Sequence, residues 1–349
     1  MKLLKKSAAL LLAAVFFVSA AGCSGGDKSW AMQDGSAKLP VGCYIYNLYV
    51  AYQQADSEKK DTSKAILDQQ IENKDAKTWI RDTAFTATKT LLLVDRKMSA
   101  MKLSLTDAEK KNVDSLNASA WSQYSSEMEK YGVAQSSFNK AYGELIYKEQ
   151  KLFNAIYGKG GTKAVPDSEL KDYYVKNYTD FSYLVCPLYK TDSNGNYSSS
   201  FTDAQKKEAK KPIDDYAAQI KAGKMTVEQA AAAYKTKLKS SEEQLHTDSI
   251  NVATDTNYPE AFRTALKSMK AGEVKAVDLT DEQTYALLYK GDAAKKADST
   301  VASATDRANL LYSYKGEEFT EGLKKEADAL KDVTVNDAAL NSYDPKMFA

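Results

Sequence analysis

Few residues of this sequence carry reactive side chains, and the scarcest are cysteine and histidine. The chain of 349 residues has three cysteines and one histidine, His246. Two distant thiols, Cys43 and Cys186, and one imidazole do not make the ligand set of a zinc site, so no metal is predicted. Each of these cysteines lies beside apolar residues, which predicts buried, unbridged thiols that pack as small hydrophobes. A disulfide between them is the alternative.

The other polar residues show no arrangement that is typical of an enzyme. His246 lies in the polar stretch Ser240–Asp248, which predicts a residue of a surface loop. The sequence contains no glycine-rich phosphate loop, no serine-nucleophile motif and no paired carboxylates in a recognisable context. No cofactor is therefore predicted.

The first 23 residues have the layout of a secretory signal. Three lysines precede an apolar stretch, residues 8–20, that is too short to span a bilayer comfortably, and small residues then lead to Cys23. This pattern resembles the bacterial lipobox, with Ala20 where leucine is usual. The resemblance implies cleavage after residue 22 and attachment of lipid such as palmitate to Cys23. An ordinary signal peptide with an incidental cysteine is the alternative.

The composition of the remaining chain excludes some partners. Removal of the three lysines of the signal reduces the 48 basic residues to 45, against 47 acidic ones. A nearly neutral chain without a basic patch predicts no nucleic-acid partner. No later apolar stretch is long enough for a second membrane span. We therefore expect a lipid anchor in the cell membrane, on its extracytoplasmic face, and a flexible tether over residues 23–39.

The first half of the mature chain predicts a helical domain, residues 40–178. Apolar residues alternate four and three positions apart from Lys74 to Met101, which predicts a long helix that faces another helix. Thr106 to Glu109 has the pattern of a capping box, which starts the next helix. A third helix is predicted from about Ser136 to Tyr157.

The middle of the chain, residues 179–298, predicts a compact domain of a different kind. Its predicted elements are the strand Phe181–Tyr189, helices that start at the capping boxes of Thr202 and Thr226, and the strands Val274–Leu279 and Thr284–Tyr289. This order of strand, helices, strand and strand indicates an α+β domain of roughly 110 residues.

The last part of the chain, residues 299–349, again predicts helix. Its apolar stripe needs a partner and is most simply buried against the N-terminal helices. The helical domain would then be discontinuous, with the α+β domain inserted into it. The predicted fold class is therefore α+β.

This layout resembles the SurA and PrsA group of exported chaperones and foldases. In that group a parvulin-type peptidyl-prolyl isomerase domain is inserted into a helical chaperone domain, which is SurA-like or trigger-factor-like. Residues 258–262, Tyr-Pro-Glu-Ala-Phe, followed by Gly-Glu-Val at 272–274, are similar to the parvulin segment whose apolar residue and Phe line the proline pocket. Pro166 to Tyr174 is similar to the linker helix of these foldases. The resemblance implies a peptide-binding pocket of Tyr183, Tyr258, Phe262 and Tyr285.

Both histidines of the parvulin pattern are absent from this sequence. The aligned positions lie near Val185 and at Ala286, and neither side chain donates a hydrogen bond. Efficient isomerase catalysis is therefore not expected, and whether the protein is an enzyme stays open. A surviving role for the thiol of Cys186, close to the first of these positions, is the lesser alternative to a core cysteine.

These observations predict a membrane-anchored chaperone or foldase that binds unfolded or newly exported polypeptides, with isomerase activity weak or lost. The 23 tyrosines suit the binding of varied chains. The first alternative is an active parvulin-type isomerase with an altered active site. The second, a solute-binding lipoprotein, is disfavoured because such proteins have repeated βαβ units. A homodimer and the identity of the client proteins are left open.

Overall fold

The computed structural model describes residues 29–192 and 196–349. The predicted signal peptide, Cys23 and its lipid lie outside the described residues. The helices are α1 (Val41–Ser57), α2 (Ala76–Ala100), α3 (Asp107–Lys130), α4 (Gln135–Asn139), α5 (Leu145–Tyr157), α6 (Asp167–Asn177), α7 (Asp203–Lys221), α8 (Val227–Leu238), α9 (Glu260–Ser268), α10 (Ala293–Ala302), α11 (Ala304–Ala329) and α12 (Asp337–Asn341). The strands are β1 (Trp30–Asp34), β2 (Ala37–Pro40), β3 (Gln70–Ile71), β4 (Lys74–Asp75), β5 (Thr179–Pro187), β6 (Tyr189–Thr191), β7 (Tyr197–Ser200), β8 (His246–Ile250), β9 (Val274–Leu279), β10 (Thr284–Lys290) and β11 (Thr334–Val335).

The chain forms two compact units. Unit 1 combines the residues up to Ala164 with Lys315–Ala349, and unit 2 is Val165–Tyr314. The predicted α+β domain, residues 179–298, is shorter than unit 2 at both ends. The difference arises because α6 and the start of α11 belong to unit 2, where the ring centroids of Tyr173 and Tyr314 lie 4.5 Å apart and Arg307 Nε donates to Asp167 Oδ1 at 2.7 Å.

The core of unit 1 is built around α1 and α2. The predicted apolar seam is confirmed, because Ile80, Ala84 and Leu91 of α2 are buried. Between the two helices, Asn47 Nδ2 donates to Thr88 Oγ1 at 3.0 Å, so this buried polar pair is satisfied. The predicted capping box of α3 is also confirmed, with the Thr106 hydroxyl accepting from the amide of Glu109 and the Glu109 carboxylate accepting from the amide of Thr106.

A small antiparallel sheet joins the two parts of unit 1. Its strand order is β11-β1-β2, with Met32 of β1 opposite Val335 of β11. The predicted tether over residues 23–39 is therefore wrong from residue 30 onward. The hairpin forms because Ala31, Met32 and Leu39 are buried in the core of unit 1, and burial of this apolar surface fixes the chain.

The third predicted helix contains an irregular turn. Residues 140–144 form a π-helical turn between α4 and α5. There the amide of Gly143 donates to Asn117 Oδ1 of α3 at 3.1 Å. A Cβ atom at Gly143 would overlap this same oxygen, so the close approach of the two helices requires glycine.

Unit 2 is organised by a four-stranded antiparallel sheet with the order β8-β5-β10-β9. One face, with Leu184 and Leu287, packs against α7 and α8. The other face, with Phe181 and Leu288, packs against α9. Two helical units with antiparallel sheets confirm the α+β class, and the described strand pairs lack the parallel layout expected of the solute-binding alternative.

Several elements of unit 2 match the sequence and several do not. The capping boxes of α7 and α8 are confirmed. Pro212 lies inside α7, which continues through it. Strand β8 was not predicted, because its residues His246–Ile250 are mostly polar and exposed, as is typical of an edge strand.

Candidate functional site

Three of the four residues predicted to line a pocket lie together in unit 2. Tyr258 stacks on Phe262 with ring centroids 4.9 Å apart, and Tyr183 lies 5.4 Å from Phe262 and 6.0 Å from Tyr258. Phe181 joins them, with centroids 5.3 Å from both Tyr258 and Phe262. We call Phe181, Tyr183, Tyr258 and Phe262 the aromatic cluster. These offset and edge-to-face distances are favourable for aromatic rings.

Two elements position the aromatic cluster. Phe181 and Tyr183 alternate along β5 and therefore point to the same face of the sheet. Tyr258 lies in the loop before α9, where its amide donates to Asp255 Oδ1 at 3.2 Å, and Phe262 lies in the first turn of α9. Phe262 is only 2 % exposed, whereas Tyr183 and Tyr258 are partly exposed. Tyr258 and Tyr183 thus offer the contact surface, and Phe262 supports it from below.

Polar groups lie at the rim of the aromatic cluster. Tyr258 donates its hydroxyl hydrogen to Asp248 Oδ2 at 2.7 Å. Burial, followed by this hydrogen bond, raises the pKa of Tyr258, so its hydroxyl stays protonated at neutral pH. The ring of His246 lies 5.0 Å from that of Tyr183. The prediction of a loop position for His246 is wrong, because the residue begins β8 and pairs directly with Tyr183 of β5.

Tyr285 does not join the other three predicted residues. It lies on the opposite face of the sheet, where its hydroxyl donates to Asp214 Oδ1 of α7 at 2.6 Å. Lys210 Nζ lies 4.8 Å from the centre of its ring. Burial and the bond to Asp214 raise the pKa of Tyr285. Tyr285 and Ala286 are adjacent in β10, so their side chains point to opposite faces of the sheet. The side chain of Ala286 is the one that faces the aromatic cluster.

The two positions aligned with the missing histidines are brought together. Ala286 of β10 lies directly opposite Val185 of β5. Ala286 is fully buried and Val185 is partly buried, so they form an aliphatic floor beside the aromatic cluster. This floor has no side chain that donates a hydrogen bond or transfers a proton.

Both cysteines behave as core residues. Cys186 faces α7, away from the aromatic cluster, and its Sγ donates to the carbonyl of Ala209 at 3.4 Å. Burial raises the pKa of this thiol, which keeps it protonated and unreactive. The surviving thiol role for Cys186 is therefore wrong. Cys43 is buried in unit 1 and donates to the carbonyl of Ser137 at 3.5 Å.

Among residues 29–192 and 196–349, no three side chains of histidine, cysteine, aspartate or glutamate are grouped to hold a metal ion. None of the helices in these two ranges has the length and apolar character needed to cross a membrane.

Sequence reasoning missed three members of the site: Phe181, His246 and Asp248. The sequence predicts a strand at Phe181 but assigns this residue to no pocket. Its spacing of two residues from Tyr183 indicates that both side chains lie on the same face of the sheet. His246 and Asp248 follow from pairing β8 with β5, with Tyr183 opposite His246 and Phe181 opposite Asp248. The polar sequence of β8 does not indicate that pairing.

No family model and no curated protein matches this chain. Solved structures to which it is similar include the foldase protein PrsA from Lactococcus lactis, with 17 % identity and a TM-score of 0.36 over 90 % of this chain and 97 % of that one. They also include foldase protein PrsA from Streptococcus pneumoniae, with 14 % identity and a TM-score of 0.36 over 78 % of this chain and 97 % of that one. Both of these solved structures are PrsA foldases, a group that the sequence analysis named.

Proposed function

We propose that this protein is an extracytoplasmic chaperone or foldase that binds unfolded, newly exported polypeptides. The observation that carries the proposal is the aromatic cluster, with partly exposed Tyr183 and Tyr258 supported by buried Phe262. Large, rigid rings with polar tips bind varied apolar and proline-containing segments at low entropic cost. The two similar solved structures are called foldases, which agrees with this class.

The aliphatic floor favours binding over catalysis. Rotation about a peptide bond has a barrier of about 18–20 kcal/mol, and twisting and desolvating the amide lower it. Val185, which is partly exposed, supplies an apolar surface that desolvates a bound peptide, but neither Val185 nor the buried Ala286 supplies a hydrogen bond to the twisted amide. We therefore propose that prolyl isomerase activity is weak or lost.

A second candidate is an active isomerase with rearranged residues. It is favoured by one observation, the Tyr258 hydroxyl bonded to Asp248 at 2.7 Å at the rim of the aromatic cluster. A hydroxyl held in this way can donate to the carbonyl of a twisted peptide if it leaves Asp248. The hydroxyl is therefore the group that separates the two candidates.

Holdase and isomerase activities measured on one preparation test both candidates. The chain from Ser24 onward is assayed for suppression of client aggregation and for isomerisation of a proline peptide. We expect Tyr258→Ala to weaken suppression by about threefold or more, because it removes the exposed ring. The control Tyr197→Ala removes a tyrosine that is 57 % exposed on β7 and should leave suppression unchanged.

The outcomes of this pair of assays are distinct. No suppression by the wild-type chain at a several-fold molar excess would contradict the chaperone proposal. Isomerase activity that disappears in Tyr258→Phe, with suppression retained, would establish the second candidate, since that substitution removes only the hydroxyl.

Attachment to the membrane belongs to the same proposal. We propose that Cys23 carries the lipid, on the support of the lipobox pattern alone. Cys23→Ser should move the protein from the membrane fraction to the soluble fraction and abolish incorporation of labelled palmitate. Retention of the variant in the membrane fraction would contradict the anchor.

A further inference from the structure

A second feature of unit 2 lies on the sheet face opposite the aromatic cluster. It is a cavity of about 520 Å³ at the end of the sheet where β5 begins. Its wall includes Tyr174 of α6, Asp180 of β5, Ser249 of β8, Lys296 of α10 and Asp306 of α11. All of these residues belong to unit 2.

Asp180 is the unusual residue of this cavity. It is only 8 % exposed. Its Oδ1 accepts the hydroxyl hydrogen of Tyr174 at 2.5 Å and that of Ser249. Its Oδ2 is buried and has no hydrogen-bond partner among the described residues. Buried polar atoms in folded proteins are almost always partnered, and a carboxylate oxygen most favours a charged N–H donor.

The charges around the cavity indicate the charge of the group that it would bind. Two carboxylates, those of Asp180 and Asp306, line it, against one cation, the exposed Lys296. Asp248 also borders the cavity, but its carboxylate accepts from Tyr258 at the aromatic cluster. This balance favours a positively charged group. A cation next to Oδ2 of Asp180 would be held by a charge-assisted hydrogen bond in a partly desolvated place.

Strand β8 connects the cavity with the aromatic cluster. It lies at the end of the strand order, so its outer edge is the place where an extended polypeptide can add as a further strand. Tyr183 of β5 pairs with His246 of β8, and Asp180 of β5 pairs with Ser249 of β8. The two pairs are three residues apart on each strand. Because side chains alternate, residues three apart on an added strand point to opposite faces. One would meet the aromatic cluster and the other the cavity.

We propose that this cavity binds the ammonium or guanidinium group of a basic side chain, carried by an extended polypeptide added to β8, with Asp180 as its partner. The proposal rests on the proposed function, because it takes the ligand to be a client polypeptide. It adds a specificity that the aromatic cluster lacks, namely a preference for clients with lysine or arginine three residues from an apolar or proline anchor.

Two fluorescent peptides test the proposal with the mature chain. They differ at one residue three positions from a proline, which is lysine in one and norleucine in the other. We expect the wild-type chain to bind the lysine peptide about tenfold more tightly, the effect of one hydrogen bond to a charged group. Asp180→Asn should abolish this preference and leave the affinity for the norleucine peptide within about twofold. Asp281→Asn, an exposed acid outside the cavity, is the control for the lost charge and should retain the preference.

A second variant keeps the test decisive if Asp180→Asn does not fold. Lys296→Glu changes an exposed side chain at the cavity and should raise the preference for the lysine peptide by about threefold, less at high salt. No gain in this variant would overturn the proposal. Equal binding of both peptides by the wild-type chain would also overturn it while leaving the proposed function in place.

The remaining outcomes separate other ligands. Binding of neither peptide would overturn this proposal and the proposed function together. Spermidine is the probe for an amine that is not part of a polypeptide. Its binding at micromolar concentration, more tightly than the lysine peptide, would overturn the assignment to a client side chain.

Discussion

Glu149 is a residue whose ionisation should affect the stability of unit 1. It lies on α5 next to Lys148, which forms ion pairs with Asp95 and Glu144 at 2.5 Å each. Burial raises the pKa of Glu149 from 4.5 to about 7. A raised pKa means that the folded chain binds a proton more tightly than the unfolded chain. The free energy of unfolding should therefore fall as the pH rises from 4.5 to about 7.

The substitution Glu149→Gln tests this linkage. Glutamine keeps the shape without the ionisation, so the variant should equal the wild type near pH 4 and be more stable at pH 8, by up to about 3 kcal/mol. Urea unfolding measured across this pH range checks the result. Glu129→Gln, at an exposed position of α3, is the matched control and should show no such trend. A difference between Glu149→Gln and the wild type that does not vary with pH would contradict the assignment.

The candidate site also shows which residues sequence reasoning can place. Tyr183, Tyr258 and Phe262 were predicted from a resemblance of short motifs, and the structure brings them together. Tyr285 was predicted with them but faces α7, because adjacent residues of a strand point to opposite faces and the sequence does not fix which one. The sequence predicts a loop at His246, since only the pairing of this residue with Tyr183 reveals the strand.

At the scale of elements, the π-helical turn between α4 and α5 offers a defined test. The side chain of Asn117 is 3 % exposed and accepts the amide of Gly143 there. Asn117→Ala should destabilise unit 1 by about 1–3 kcal/mol, because it leaves a buried amide without a partner. Asn112→Ala, at an exposed position of the same helix, is the control and should change stability by less than about 0.5 kcal/mol. Equal effects of the two substitutions in chemical denaturation would show that the bond to Gly143 does not stabilise the turn.

Elements were predicted well where a local signal marks their ends. The capping boxes at Thr106, Thr202 and Thr226 each start a helix, because the side-chain bonds that they use are formed within four residues. Strands β1, β8 and β11 have no such signal. They are short, and the pairs β1–β11 and β5–β8 join residues far apart in the chain, so these pairings depend on the tertiary structure.

At the scale of the whole molecule, the sequence predicts that the helical domain is discontinuous. It does not predict the contacts by which the last residues of the chain complete that domain. The apolar stripe of the last long helix indicated a return to the N-terminal part, and Phe319 does lie 5.4 Å from Phe153. The contacts after Leu330 were not predicted. They include β11 on β1, and Phe348, whose ring lies 4.7 Å from that of Tyr131.

These terminal contacts predict that unit 1 requires the last residues of the chain. A chain that ends at Leu330 loses β11, buried Leu340 and half-buried Phe348. It also loses the carbonyl of Tyr343 that accepts from Arg81 Nη1 at 3.1 Å. Loss of a buried leucine side chain costs about 2–5 kcal/mol. Together with the lost contacts of Phe348 and of β11, this loss should exceed about 5 kcal/mol, the lower end of the free energy of unfolding of native proteins.

We therefore expect calorimetry of the truncated chain to show no cooperative transition for unit 1 and a retained transition for unit 2, which keeps all of Val165–Tyr314. Deletion of Ala349 alone is the control, because this residue is exposed and its loss should leave both transitions in place. If the chain ending at Leu330 unfolded like the wild type, the residues after Leu330 would not contribute to the stability of unit 1. The strand β1 would then need no partner beyond β2, and the N-terminal hairpin would be stable without β11.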